Sequence, residues 1–307
     1  MKKLIIIANP LAGDGRRAAL LNQASLIDAR FELVLFEVRS DEDVQRAFAA
    51  TRGEDVAALV IFGGDGTVNR CLPLLADLHV PVAVFPVGTV NDLALMLGMR
   101  PDWLRLGDLI EQNSTDRLRL LEVNGQPFAV YGTLGLGAEA SRRLQAARAR
   151  MAVFRQAFPR LQTPLFTAWT ALFTRGYARR LRFTMDDDVH EFHSAGVYVT
   201  NQTKVNRKID LEWDPSIDPT LFRVVAFKSM PKGQLLRTVF RLASSGRLSA
   251  IRDAVEVFDV AHAEITAIDG TPLAFRADGE PLLESSVLRI GVAKASVLVY
   301  RDRDTAT

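Results

Sequence analysis

Short apolar runs alternate with amphipathic stretches through the first third of the chain. Leu4–Ala8, Leu33–Val38, Ala57–Phe62 and Val82–Phe85 are mostly apolar runs of strand length. Between and after them, Arg16–Ala29, Asp41–Thr51, Val68–Leu78, Asp92–Leu97 and Pro101–Glu111 repeat apolar positions at helical spacing. Near-continuous apolar strands belong to sheets covered on both faces, so this region predicts a parallel sheet wrapped by helices. Past about Leu121 the pattern changes. Arg182–Met185, Phe192–Thr200, Leu221–Phe227, Val255–Val260, Ala263–Ile268, Leu273–Arg276 and Val287–Val292 read as strands separated by turn signals. They predict a mainly antiparallel, β-sandwich second domain. A helical insertion, from about Glu139 to Leu172, interrupts it, and a helix is expected after Pro231. The expected domains are 1–122 and 123–294.

Candidate chemistry collects at the carboxyl ends of the first-domain strands, where open α/β sheets bind ligands. Gly63, Gly64, Asp65, Gly66, Thr67 and Asn69 follow the third strand and lead into a helical pattern. Glycines there let backbone N–H groups approach a ligand with no Cβ in the way, and the helix start adds partial positive charge. That combination suits phosphate, and an aspartate among those amides suits a metal ion beside it. An ordinary strand-to-helix turn is the plainer alternative. Asn9 and Gly13 follow the first strand, and Gly88, Thr89, Asn91 and Asp92 follow the fourth. Helix capping by Asp92 is compatible with a ligand role nearby. Downstream, Asp278-Gly279-Glu280 stands in β-rich sequence. Two apart on a strand, both carboxylates would face one side; as a turn, Asp-Gly is a strong hairpin signal.

Taken in order, Asn9-Pro10-Leu11-Ala12-Gly13, Gly63-Gly64-Asp65-Gly66-Thr67-Val68-Asn69, Pro86-Val87-Gly88-Thr89-Val90-Asn91-Asp92 and Asp278-Gly279-Glu280 resemble the motifs of the diacylglycerol kinase-like lipid kinases. That family includes bacterial diacylglycerol kinases and the sphingosine and ceramide kinases, and is related to the NAD kinases. The resemblance implies an NAD kinase/diacylglycerol kinase-like fold whose last strand, about 295–301, returns to the first domain. It also implies ATP-dependent phosphorylation of a lipid hydroxyl, with diacylglycerol as the default acceptor. Asn9, Gly63 to Asn69, Gly88, Thr89 and Asn91 would bind ATP, and Asp65 would organise Mg2+. Asp278 would act as the general base, with Glu280 second in line. Asp218 would belong to a second, acidic magnesium loop.

Two departures stand out. Arg70 occupies a position where the family carries glutamate. Asn206-Arg207-Lys208 and Pro219-Thr220 replace three glycines and an aspartate-glycine pair of the acidic loop, in which Asp214 and Asp218 remain. These departures keep two rivals open, a catalytically impaired pseudokinase and a soluble-substrate kinase related to NAD kinases.

Bulk properties add little except locally. The net charge of +2 over 307 residues gives no sign of a nucleic-acid partner. From Ala140 to Met185 the chain holds no acid but many arginines, among them Arg142, Arg155 and Arg175. With Phe154, Phe158, Phe166 and Trp169 alongside, that stretch reads equally as a membrane-surface element or as a helix pair packed on a core. The expected partner is a lipid at a membrane surface; a homodimer is compatible with the sequence and not required by it. One cysteine, Cys71, excludes an internal disulfide. The basic start Met1-Lys2-Lys3 is cut short at Asn9-Pro10, and no apolar run reaches the roughly 20 residues of a membrane span. A cytoplasmic protein, peripheral to the inner face of the membrane, is the expectation. His190 and His193 fall on opposite faces of a strand and suggest a solvated hairpin rather than a metal site.

Overall fold

The structure is a computed structural model in which residues 1–10, 17–27, 29–75, 78–88, 91–150, 170, 178–205, 209–214 and 216–304 are described. The chain divides into two compact units, Met1–Leu120 with Lys294–Thr307, and Leu121–Ala293.

In the first unit β1 (Lys2–Ala8) leads to α1 (Arg17–Asn22) and a 3-10 turn, then β2 (Phe31–Glu37), α2 (Asp41–Ala50), β3 (Val56–Gly63), α3 (Asp65–Leu75), β4 (Val82–Pro86), α4 (Asp92–Met96) and α5 (Trp103–Glu111). The sheet order is β2-β1-β3-β4 and every pairing is parallel. Leu4 to Ala8 and Ala58 to Phe62 are all but fully buried, as strands covered on both faces must be. Phe62, Phe85 and Trp103 stack behind the sheet, with ring centroids 4.3–6.0 Å apart. Local signals set the helix starts. Ser40 and Asp43 form a reciprocal capping box on α2, and Asp102 accepts from the Arg105 N–H at α5.

The second unit begins within β5 (Thr115–Val123) and continues with β6 (Gln126–Phe128), β7 (Tyr131–Gly135), α6 (Leu136–Arg150), β8 (Arg179–Met185) and β9 (Asp188–Thr200). A short pair, β10 (Lys204–Val205) and β11 (Ile209–Asp210), precedes β12 (Phe222–Lys228). Then come α7 (Lys232–Ser245), β13 (Val255–Val260), β14 (His262–Ala267), β15 (Leu273–Ala277), β16 (Glu280–Ser285) and β17 (Val287–Tyr300). The ladder β16-β15-β7-β9-β8-β14-β17 is antiparallel, and β12 joins β9 to β13. The expected sandwich is therefore one continuous ladder rather than two separate sheets. The 13-residue β9 makes the join, pairing with β8 through its first half and with β7 and β12 through its second. An apolar core that includes Phe128, Phe183, Phe222 and Phe275 lies in this unit, beside smaller clusters around Ile251 and around Leu235.

Other expectations shift by a few residues, and three differ in kind. The helix expected at Val68 begins at Asp65, which puts Gly66 and Thr67 inside its first turn. The two expected last strands are one strand, β17; Val299 pairs in parallel with Val82 of β4. Strands β5, β6, β7, β10, β11 and β16 were not expected. Of the helical insertion, only α6 and Thr170 lie among the described residues. His190 and His193 lie on the exposed β8–β9 hairpin, and no cluster of three metal-binding side chains occurs among the described residues.

The chain end is fastened by a buried ion pair. Asp302 is 1% exposed and accepts from Arg105 Nε at 3.0 Å and a second guanidinium nitrogen at 2.6 Å. Its N–H also donates to Leu97 O at 2.9 Å. Asp302→Ala removes the buried carboxylate but leaves the 31% exposed Arg105 guanidinium paired with Asp304 at 2.6 Å, so the first unit should lose about 1 kcal/mol in denaturant unfolding.

Candidate active site

Two glycine turns of the first unit meet backbone against backbone. Gly63 ends β3, Gly64 follows it, and Gly88 follows β4. A Cβ on Gly88 would lie 2.7 Å from the Gly64 Cα, and one on Gly64 would lie 3.0 Å from the Gly88 Cα. A Cβ on Gly63 would run into the Thr67 side chain at 2.5 Å. Only glycine permits this contact, so the glycines serve the fit of one turn on the other as well as any ligand.

Asp65 fastens that fit. Its carboxylate accepts the Asn91 N–H at 2.8 Å and the Asp92 N–H at 2.6 Å, at the start of α4. Asn91 takes the left-handed conformation, with φ of 58°. Its side chain closes a ring with Gly88, accepting the Gly88 N–H at 2.9 Å and donating to the Gly88 carbonyl at 2.8 Å. Asp92 does not act as the expected cap: Asn91 holds the N-cap position and Asp65 supplies the acceptor from another loop. Across the turn, Asn9 Nδ2 reaches Thr67 Oγ1 at 3.5 Å. The Asn69 Oδ1 atom is buried without a hydrogen-bond partner among the described residues. Thr89 lies outside the described residues. The first unit thus draws Asn9, Gly63, Gly64, Asp65, Thr67, Gly88 and Asn91 into one cradle at the carboxyl ends of β1, β3 and β4. Gly66 stands exposed on the first turn of α3 and Asn69 one turn further on.

The magnesium expectations fare differently. Asp65 spends its carboxylate on two backbone N–H groups. Asp218 is exposed in the second unit and accepts the Thr220 N–H at 2.9 Å and hydroxyl at 2.6 Å. Asp214 turns likewise onto Ser216 at 2.8 Å. The described residues therefore form no protein-built magnesium cage. Binding through nucleotide phosphates with a single carboxylate needs none. Arg70 is directed along the helix surface to Asp41, 3.2 Å away. Asn206-Arg207-Lys208 lie outside the described residues.

In the second unit Asp278 and Gly279 form the turn between β15 and β16, with φ of 49° and 85°. The two carboxylates are therefore not neighbours on one strand face, because the left-handed turn separates them. Asp278 is 5% exposed. It accepts the N–H groups of Ala129 and Val130, each at 2.8 Å, and of Tyr131 at 2.9 Å. Those contacts pin the turn to the segment before β7, and Glu280 stands half-buried beside it.

Sequence reasoning missed Arg276. It is 8% exposed and donates to the Gly279 carbonyl at 2.5 Å. Burial pushes its guanidinium below the usual value, while Glu280 acts to raise it. Arg276 and Pro281, on either side of the turn, line a cleft of about 560 Å³ walled by Leu134, Leu181, Leu273 and Phe275. No motif in the sequence marked it; its burial is visible only in the structure.

Residues 3–123 match the diacylglycerol kinase catalytic domain. A diacylglycerol kinase of Bacillus subtilis is 34% identical over 137 residues, 42% of this chain and 44% of that protein. One from Mycobacterium tuberculosis is 31% identical over 99 residues, 32% of each. The matched stretches thus span less than half of these relatives. A crystal structure of a Bacillus anthracis diacylglycerol kinase superposes with a TM-score of 0.69 at 17% identity, covering 99% of this chain and 98% of that one. An Archaeoglobus fulgidus NAD kinase, solved with ATP, gives 0.53 at 14% identity over 99% and 95%. The fold is that of the diacylglycerol kinase and NAD kinase group.

Proposed function

We propose, for a chain whose residues 3–123 match the diacylglycerol kinase catalytic domain, that it transfers the γ-phosphate of ATP to the hydroxyl of a diacylglycerol-like lipid. The observation that carries this reading is a cleft with apolar and charged walls beside an acidic turn. Leu134, Leu181, Leu273 and Phe275 give it an apolar side for an acyl chain, Glu139, Arg142, Arg179, Arg276 and Glu284 a charged one, and Glu280 directly precedes the lining residue Pro281.

Each residue's role follows from its surroundings. Backbone N–H groups at the Gly63-Gly64 turn and the start of α3 hold the phosphates, while the Gly88 N–H is taken by Asn91. Asn9 and Asn69 offer polar contacts at the same turn. Asp65 keeps the two turns in register through Asn91 and Asp92. Magnesium would enter with the nucleotide and offset charge on the transferred group. The hydroxyl oxygen attacks the γ-phosphorus, the bond to the ADP oxygen breaks, and the hydroxyl proton passes to a carboxylate. We assign that carboxylate to Glu280, ahead of Asp278. Asp278 already accepts three N–H donors and is 5% exposed, so a substrate hydroxyl has little access to it. Asp278 instead positions the turn.

The pseudokinase reading rests on Arg70 and on Asn206-Arg207-Lys208 in place of three glycines; the Arg70 guanidinium pairs with Asp41 on a neighbouring helix, and 206–208 lie outside the described residues. An acceptor panel tests the acceptor class. ADP release is followed with diacylglycerol, monoacylglycerol, sphingosine or ceramide in mixed micelles, or with NAD in water. Acceleration by a glycerolipid supports the reading, whereas acceleration by NAD alone moves the protein to the soluble-substrate class.

A further inference from the structure

The helix α7 carries an aromatic ring where a soluble domain has least use for one. Its inner side is ordinary: Leu235 and Thr238 are 2% and 3% exposed, and Leu235 packs with Leu136, Met230 and Val239. Its outer side is centred on Phe240, which is 73% exposed. At 3.6 residues per turn Gly233, Leu236, Ala243 and Ser244 share that side, and Arg237 and Arg241 border it. No acid occurs between Lys232 and Ser245. Arg241 is drawn to Asp253 at 3.2 Å, whereas Arg237 forms no ion pair among the described residues. Arg247 and Arg252 continue the exposed positive charge beyond the helix.

We propose that this face of α7 docks the second unit onto an anionic lipid bilayer. The proposal rests on the lipid-kinase reading, since a bilayer is where such an acceptor resides. A bulky apolar centre bordered by arginines is the composition of a helix lying in the interface, ring among the acyl chains and cations at the headgroups. A second copy of the chain fits less well. A two-fold contact would set Phe240 against its equivalent but would also bring Arg237 and Arg241 against their own copies. Docking also has a consequence for the acceptor. The inner side of α7 rests on Leu136, and Gly135 and Ala138 on either side of that residue line the cleft. Seating α7 on the bilayer therefore seats the cleft wall near the lipid.

Vesicle co-sedimentation of the full chain tests this, with phosphatidylcholine alone and with phosphatidylcholine mixed with phosphatidylglycerol. Wild type should bind the anionic vesicles and release them as salt rises. Arg237→Glu and Phe240→Ser should each lower the partition coefficient roughly tenfold. A dye on F240C should shift to the blue on anionic vesicles; Cys71, 0% exposed, leaves position 240 as the reactive site. Transfer to a short-chain acceptor dispersed in detergent should stay unchanged in both variants, while transfer to acceptor embedded in anionic vesicles falls. Variants that sediment like wild type would overturn the proposal. So would a concentration-dependent dimer, formed without lipid and lost in Phe240→Ser. Absence of transfer even to the detergent-dispersed acceptor would instead overturn the kinase reading, and leaves the sedimentation result to stand on its own.

Discussion

Gly88→Ala should lower affinity for ATP at least tenfold and lower the melting temperature of the first unit. The added methyl would meet the Gly64 Cα and the Asn91 Oδ1, each at 2.7 Å. One of those neighbours is backbone and cannot rotate away, so the two turns must separate. Overpacking of this kind costs about 1–3 kcal/mol. Separation also stretches the Asp65 hydrogen bonds to Asn91 and Asp92, now 2.8 and 2.6 Å, and the phosphate-facing N–H groups lose their common direction. Titration with ATP and a thermal melt read the two effects. Gly66→Ala is the matching control. Gly66 is exposed on the first turn of α3, where alanine favours the helix, so its melt should not fall. Wild-type affinity in Gly88→Ala would mean that the turn contact does not shape the nucleotide site.

The second large effect separates the two carboxylates of the β15–β16 turn. Glu280→Gln should cut kcat by roughly 10²–10⁴-fold, the usual contribution of a positioned proton acceptor, with the melt unchanged. Asp278→Asn should act on stability first. Its carboxylate serves three N–H donors across nearly 150 residues of sequence, and an amide offers one acceptor oxygen for them. A loss of about 1.5–3 kcal/mol follows, with activity falling as the turn loosens. A folded, inactive Asp278→Asn beside an active Glu280→Gln would return the base role to Asp278.

How much of this could be read from the sequence depended on the distance over which each residue acts. The runs of β1, β3 and β4 were legible because burial on both faces leaves a continuous apolar signature. The glycine turns were legible as a candidate ligand cradle, since their composition is local. Their second purpose was not, because the Gly64–Gly88 contact and the Asp65 link to Asn91 join residues more than twenty positions apart. The start of α3 was misplaced because Gly66 looks like turn sequence yet lies inside the helix. The hold of Asp278 on the segment before β7 was not legible: its partners Ala129 to Tyr131 belong to a segment in which no strand was expected. Arg276 carries no motif at all; only its burial marks it.

The central claim is phosphoryl transfer to a lipid hydroxyl, and product analysis tests it most directly. Purified protein is given γ-labelled ATP, magnesium and dioleoylglycerol in mixed micelles, and the lipid fraction is resolved. The account predicts labelled phosphatidic acid at a rate that Glu280→Gln depresses at least a hundredfold. Saturable ATP binding with no label in any lipid, under conditions where the protein is folded, would contradict it.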